Sequence, residues 1–380
     1  MIDEARGAGP EWLALFHEAQ QLAGEGRLDD AVAVGAKALE VAEREAGADH
    51  PDVADTLNEL AIFQRSRGEL AEAEPLDVRA LSIRERVLGA DHPAVAQSLN
   101  NLAVLYRFLG EPARAQPLAE RALAIRERRL GPDHPDVAQS LNVLAAIVQA
   151  RGEHAAAEPL YRRSLDIRER GLGPDHPDVA ISLNNLAALY DVQGAHARAQ
   201  PLYERALAIR ERALGPDHSE VAASLNNLAT ALHAQGAYDA ASALYERSLA
   251  TRERILGPRH PDVATNLNNL GLLYLSIGRI DRAAALLDRA LAVREASLGP
   301  DHPEVAASLD SLGFFHAALG AHAEAVPLFE RSLAIREARL GPGHPAVAGT
   351  LEMLAEVRRE LGEAEIAERL ERRAAELRAG

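Results

Sequence analysis

The chain has no cysteine, aromatic residues make up only 4% of it, and Lys37 is the one lysine among 41 basic residues. Without cysteine there is no disulfide framework, no thiolate metal site and no cysteine nucleophile. The 41 basic residues face 57 acidic ones, a net charge of −16, and phosphate backbones are gripped by clustered Lys and Arg. A nucleic-acid partner is therefore not expected. No uncharged apolar run approaches the roughly 18–20 residues that cross a bilayer, so no membrane partner is expected either. The stretch Met1–Trp12 is acidic and lacks the apolar core of a signal peptide, so the expected location is cytoplasmic. A glycine-rich phosphate loop, a His-Glu-x-x-His pair and a Gly-x-Ser-x-Gly elbow are all missing. The chain is accordingly expected to be no enzyme and to carry no cofactor. What it does have is 47% hydrophobic residues, enough for an extensive core.

That apolar material is distributed periodically. His-Pro recurs at His50, His92, His134, His176, His260, His302 and His344, with His218-Ser219 in the remaining place, always 42 residues apart. A Leu-Asn-x-Leu-Ala-like string begins at Leu57, Leu99, Leu141, Leu183, Leu225, Leu267, Leu309 and Leu351, also 42 apart. Two further columns, Gly26 to Gly362 and Ala31 to Ala367, keep the same register. A fixed period of this length marks a linear array, in which each unit contacts only its neighbours. Two separate globular domains are not expected.

One unit explains the columns. Val179, Leu183, Leu186, Ala187 and Tyr190 step by three and four, the apolar stripe of a helix. Pro177 suits the first turn, with His176 or Asp175 as its cap. Gly194 ends that helix. A second stripe runs through Ala199, Leu202, Tyr203, Ala206 and Ile209 to Leu214-Gly215. The small Ala187 and Ala199 let the two helices approach closely. Each unit is thus expected to be an antiparallel helical hairpin that buries its stripe only by stacking on the next.

Leu183, Leu186, Ala187, Tyr190, Gly194, Ala199, Tyr203 and Ala206 match the tetratricopeptide signature in spacing. The unit is longer than the ordinary 34 residues and resembles the repeats of kinesin light chains and related bacterial arrays. The resemblance implies an all-α, right-handed superhelix of about nine hairpins and a protein or peptide partner. Its expected limits are a tail over residues 1–11 and one solenoid over 12–380. The hairpins would fall at 12–49, 50–91, 92–133, 134–175, 176–217, 218–259, 260–301, 302–343 and 344–380. The first and last depart from the pattern as water-facing end caps do.

The resemblance also implies that first helices line a concave groove. Between the core leucines stand Asn100 and Asn101, Asn184 and Asn185, Asn226 and Asn227, Asn268 and Asn269, with single Asn58 and Asn142. A carboxamide offers a donor and an acceptor, so such a column can pair with extended peptide backbone. In kinesin-light-chain-like repeats groove asparagines hold peptides, and those positions carry over. Hydrogen bonding between repeats is the other reading of the same column, and for Asn184 and its equivalents the two stay open. Arg65 and Arg107 are the groove-side cations of the first half. Phe108, Leu272, Leu275 and Phe314 either form apolar pockets or pack against neighbouring helices. A rival reading of the whole chain is a structural or regulatory module that docks an effector through its outer face or ends.

Two more columns invite a site. Eight histidines suggest a metal, but helices stacked roughly 8–10 Å apart cannot bring two of them to one ion, so helix capping is expected. The Ile-Arg-Glu column (Arg84-Glu85, Arg126-Glu127, Arg168-Glu169, Arg210-Glu211) reads as an outer ridge or, preferably, as exposed ion pairs near the helix ends.

Overall fold

The computed structural model describes residues 7–379, and all 18 regular elements among them are α-helices. The segment expected to form a tail lies outside the described residues as far as residue 6. Nine first helices alternate with nine second helices. The first helices are α1 (Pro10–Gly24), α3 (Pro51–Ser66), α5 (Pro93–Phe108), α7 (Pro135–Ala150), α9 (Pro177–Val192), α11 (Ser219–Ala234), α13 (Pro261–Ser276), α15 (Pro303–Ala318) and α17 (Pro345–Glu360). The second are α2 (Leu28–Ala46), α4 (Leu70–Leu88), α6 (Pro112–Leu130), α8 (His154–Leu172), α10 (His196–Leu214), α12 (Tyr238–Leu256), α14 (Ile280–Leu298), α16 (His322–Leu340) and α18 (Ala364–Ala379). The all-helical array of about nine hairpins expected from the sequence is borne out.

The starts and stops follow from local chemistry. At each His-Pro the histidine is the N-cap and the proline the first helical residue; His176 Nδ1 accepts from the backbone N–H of Asp178 at 3.2 Å. The same bond recurs at His50, His92, His134, His218, His260, His302 and His344. The histidine column is a set of caps. Gly194 ends α9 with φ +71° and Gly215 ends α10 with φ +81°. A Cβ added at either would meet nothing within 4 Å, so it is the left-handed backbone alone that demands glycine.

Two compact units result, Met1–Ile209 and Arg210–Gly380, with the boundary inside α10. Each has the same kind of core. In the first, Val179, Ala180 and Leu183 of α9 bury against Ala206 and Ile209 of their own hairpin and against Leu165 of the preceding one. In the second, Val263, Ala264 and Leu267 of α13 do so against Ala290 and Val293, with Leu249 from the preceding hairpin. Each such large side chain contributes about 1.5–3 kcal/mol by leaving water.

The Arg-Glu column departs from expectation. The two neighbours are not one exposed pair; they have different tasks. The arginines Arg84, Arg126, Arg168, Arg210, Arg252 and Arg294 are buried, between 3% and 8% exposed. Each reaches the first helix of the next hairpin. Arg126 donates to the carbonyl of Asp136 at 2.8 Å and to Ser140 Oγ at 3.0 Å. Arg168 repeats this at Asp178 and Ser182, and Arg294 at Glu304 and Ser308. The glutamate alongside pairs with the arginine 36 residues on, in the following second helix: Glu85–Arg121, Glu127–Arg163 and Glu169–Arg205 in the first unit, Glu253–Arg289 and Glu295–Arg331 in the second. Hairpins are therefore joined by a buried polar staple and a half-exposed ion-pair ladder as well as by apolar packing.

Candidate functional site

The first helices place the two asparagine columns about 100° apart around the helix axis, since adjacent residues differ by that angle. The structure separates them by burial. Asn58, Asn100, Asn142, Asn184 and Asn226 are buried, Asn268 half-buried. Asn58 donates through Nδ2 to Asp77 at 2.9 Å, and its Oδ1 accepts from Arg84 and from Ser98 of the next first helix. Asn100 donates to Ser140 at 2.9 Å, again one hairpin on. Asn226 Oδ1 accepts from Asn269 at 3.1 Å. These bonds tie neighbouring first helices together. Among the described residues the Oδ1 atoms of Asn100, Asn142, Asn184 and Asn268 have no hydrogen-bond partner.

The second column is half-buried and differently engaged. Asn101 Oδ1 accepts from Gln97 at 3.0 Å. Asn269 gives its Nδ2 to Asn226. The carboxamides of Asn185, in the first unit, and Asn227, in the second, make no hydrogen bond among the described residues and present both donor and acceptor.

Arg65 and Arg107 share a column but not an environment. Arg65 donates to Asp77 Oδ2 at 3.2 Å and reaches the carbonyl of Asn101 at 3.5 Å. Arg107 has no carboxylate partner among the described residues; its guanidinium lies 4.5 Å from the centre of the Phe108 ring. Burial holds both guanidiniums below their ordinary range, for Arg65 against the pull of Asp77. Asp77 is fully buried, and burial pushes its carboxyl up to about 6 even with Arg65 and Asn58 opposing the shift.

Asp77 is the residue that sequence reading missed. Its column otherwise reads Gly35, Ala119, Tyr161, Tyr203, Tyr245, Leu287 and Phe329 before Glu371 in the last hairpin, so a carboxylate inside the array was the available signal. It belongs to a set of pairs, twelve residues apart, that close each hairpin across its two helices. Tyr161 donates to Gln149 at 3.1 Å, and Tyr203 bonds Asp191. Burial raises both phenols, Tyr161 to about 12. In the second unit two of the equivalent pairs are apolar, Leu275 with Leu287 and Ala317 with Phe329, while the last hairpin closes on an ion pair, Arg359 with Glu371.

The second unit holds a small cavity of about 140 Å³ between α15, α16 and α17. Phe314, Phe329, Met353 and Val357 line it, with Glu356 and His322 at its edge. Phe314, 53% exposed, opens onto it, whereas Leu272 and Leu275 pack against the core and Phe108 lies beneath Arg107. The first-helix face thus offers amides, apolar surface and few free charges. Among the described residues no group of three or more candidate metal ligands occurs, and no helix is long and apolar enough to cross a membrane.

The family model described as Tetratricopeptide repeat matches residues 13–76, 52–128, 114–170, 136–212, 178–254, 220–296, 278–338 and 304–379, nearly the whole chain. No curated protein matches the sequence significantly. Among solved structures, a putative kinesin light chain of Podosopora anserina with nearly identical TPR-like repeats is 30% identical, covering 54% of this chain and 97% of its own, with a TM-score of 0.44. BtubC (BKLC) from P. vanneervenii is 26% identical over 65% of this chain and 92% of its own, with a TM-score of 0.48. A Rap protein complexed with competence and sporulation factor covers 97% of this chain and 98% of its own at 16% identity and a TM-score of 0.60, a likeness of fold.

Proposed function

The chain belongs to the tetratricopeptide repeat family, a family of interaction modules, and from that premise we propose that its first-helix face is a groove holding an extended segment of a partner protein. The observation that carries this reading is the open carboxamide that each unit presents on its own first helices, Asn185 in the first and Asn227 in the second. A half-buried amide with no internal partner gains most from a ligand that supplies one, because peptide N–H and C=O groups match its acceptor and donor. Asn58, Asn100 and Asn226 then keep neighbouring first helices in register, and Asn101, Asn142, Asn184, Asn268, Asn269 and Arg107 complete the contact surface. Arg65 sets the position of Asn101 through its carbonyl. Phe314 and the cavity beside it accept an apolar side chain of the ligand. Action as a scaffold without catalysis, in the cytoplasm, belongs to the same reading.

Fluorescence anisotropy against an unbiased library of labelled peptides tests it. Some peptides should bind more tightly than about 1 mM, and Asn185→Ala or Asn227→Ala should each weaken them several-fold, the worth of about one hydrogen bond. Binding indifferent to both substitutions overturns the groove.

A further inference from the structure

The cavity between α15, α16 and α17 lies where a polar side chain has been shortened. Ala317 of α15 holds the place that Asp191 holds in α9. In that earlier hairpin Asp191 Oδ1 pairs with His196 Nδ1 at 3.0 Å, at the start of the second helix, and with Tyr203. The corresponding residues here are Ala317, His322 and Phe329. With the carboxylate gone, His322 Nδ1 is buried and has no hydrogen-bond partner among the described residues. The space left beside it is the cavity of about 140 Å³.

Glu356 of α17 stands at the edge of that space. From Ile62 through Val104, Ala146, Ala188, Thr230 and Leu272 to Phe314, the same column of the first helices carries no charge. Glu356 is exposed and makes no hydrogen bond or ion pair among the described residues. Arg359, one turn on, lies within reach of its charge but is bonded to Glu371. Arg358 is taken by Glu330 and Glu363. The imidazole can carry its proton on Nε2 and accept at Nδ1. The polar groups of the cavity therefore accept hydrogen bonds, and its remaining lining is Phe314, Phe329, Met353 and Val357 with two alanines.

We propose that this cavity takes the side chain of a lysine in the partner segment. The proposal rests on the groove reading, which gives the cavity an apolar side chain, and it specifies how that side chain ends. Lysine brings a four-carbon apolar stem and an ammonium with three donors and no acceptor. The stem covers Met353 and Val357. The aromatic rings of Phe314 and Phe329 attract the cation through their π systems, His322 Nδ1 accepts one of its protons, and Glu356 supplies the opposite charge. A wholly apolar side chain of the same length would leave both acceptors unmatched. The net charge of −16 also draws a cationic segment toward the chain.

The test uses the full-length chain and fluorescein-labelled, C-amidated Gly/Ser hexapeptides with one central lysine, norleucine or Nε-acetyl-lysine, followed by anisotropy. The lysine peptide should bind at least about tenfold more tightly than either of the others. Glu356→Gln and Phe314→Leu, both at exposed positions, should each remove most of that preference at unchanged far-UV circular dichroism. Glu352→Gln, on the same helix but outside the cavity lining, should leave it intact, which separates the site from general attraction to an acidic surface. Asn185→Ala and Asn227→Ala should weaken all three peptides alike and leave the ratio between them. A preference for lysine with no response to those two substitutions breaks the groove reading and leaves the cavity standing. Equal binding of the lysine and norleucine peptides, including none by either up to about 1 mM, overturns the proposal. So does a lysine preference that survives Glu356→Gln.

Discussion

Hairpins of the two units solve one problem with two chemistries. Closing a hairpin requires a pair of side chains, one from each helix, at fixed places twelve residues apart. In the first unit those pairs are polar: Arg65 with Asp77, Gln149 with Tyr161, Asp191 with Tyr203. In the second, two of them become Leu275 with Leu287 and Ala317 with Phe329, before the last hairpin returns to an ion pair, Arg359 with Glu371. The switch is accompanied by Gly271 and Gly313 where earlier first helices have alanine. A Cβ at Gly313 would stand 2.6 Å from the Phe329 ring, and one at Gly271 2.8 Å from Leu287. The second unit gains area by removing a methyl from one helix and enlarging the residue opposite. The first gains directionality, because a hydrogen-bonded pair fits only its own partner.

Breaking the apolar version should cost most. Phe329→Ala removes a side chain 1% exposed and is expected to destabilise the second unit by about 3–5 kcal/mol, read from urea unfolding and from amide exchange in α15–α17. Asp77→Leu in the first unit strands a half-buried guanidinium and is expected to cost about 2–3 kcal/mol. The double change Arg65→Leu with Asp77→Leu, which imports the second unit's solution, should recover most of that loss. If it instead adds to the damage, the two closures are not interchangeable. Gly313→Ala should cost about 1–3 kcal/mol by overpacking against Phe329, while Ala187→Gly in the first unit should cost about 1–2 kcal/mol from helix propensity and the loss of a buried methyl.

The pH dependence sharpens the contrast. Asp77 titrates at about 6 in the folded chain and near 3.9 when unfolded. Between those values the folded state holds a proton the unfolded state lacks, so this group's contribution to stability grows as pH falls through 6 and levels off below about 4. Melts of the parent should show that gain relative to Asp77→Asn. The second unit's His260 runs the other way. Burial lowers its pKa from the ordinary 6.5, so stability is lost as pH falls below 6.5, when the unfolded state takes up a proton first. His260→Ala should cost about 1 kcal/mol at pH 8, the worth of a cap, and abolish that loss.

Most of the fold was legible because it is written in repetition. His-Pro announces a cap and a first turn, and the spaced apolar residues announce the stripe. The site was less legible for a geometric reason. Asn184 and Asn185 are adjacent in sequence, and which of them turns inward depends on where the neighbouring first helix stands. The direction of Arg84 and its equivalents was hidden likewise, though a second column recorded it. Ser98, Ser140, Ser182 and Ser224 each follow such an arginine by fourteen residues and receive its hydrogen bond. Asp77 was visible as an interruption, but only its burial gives that interruption a meaning.

The staple and ladder are defined by offset rather than by individual identity. If residues 92–133 were excised, Arg84 would arrive opposite Ser140 and Glu85 opposite Arg163, each finding a residue of the same type at the same remove. A chain shortened by that one unit would therefore rebuild both of these joints at the new seam without any further substitution.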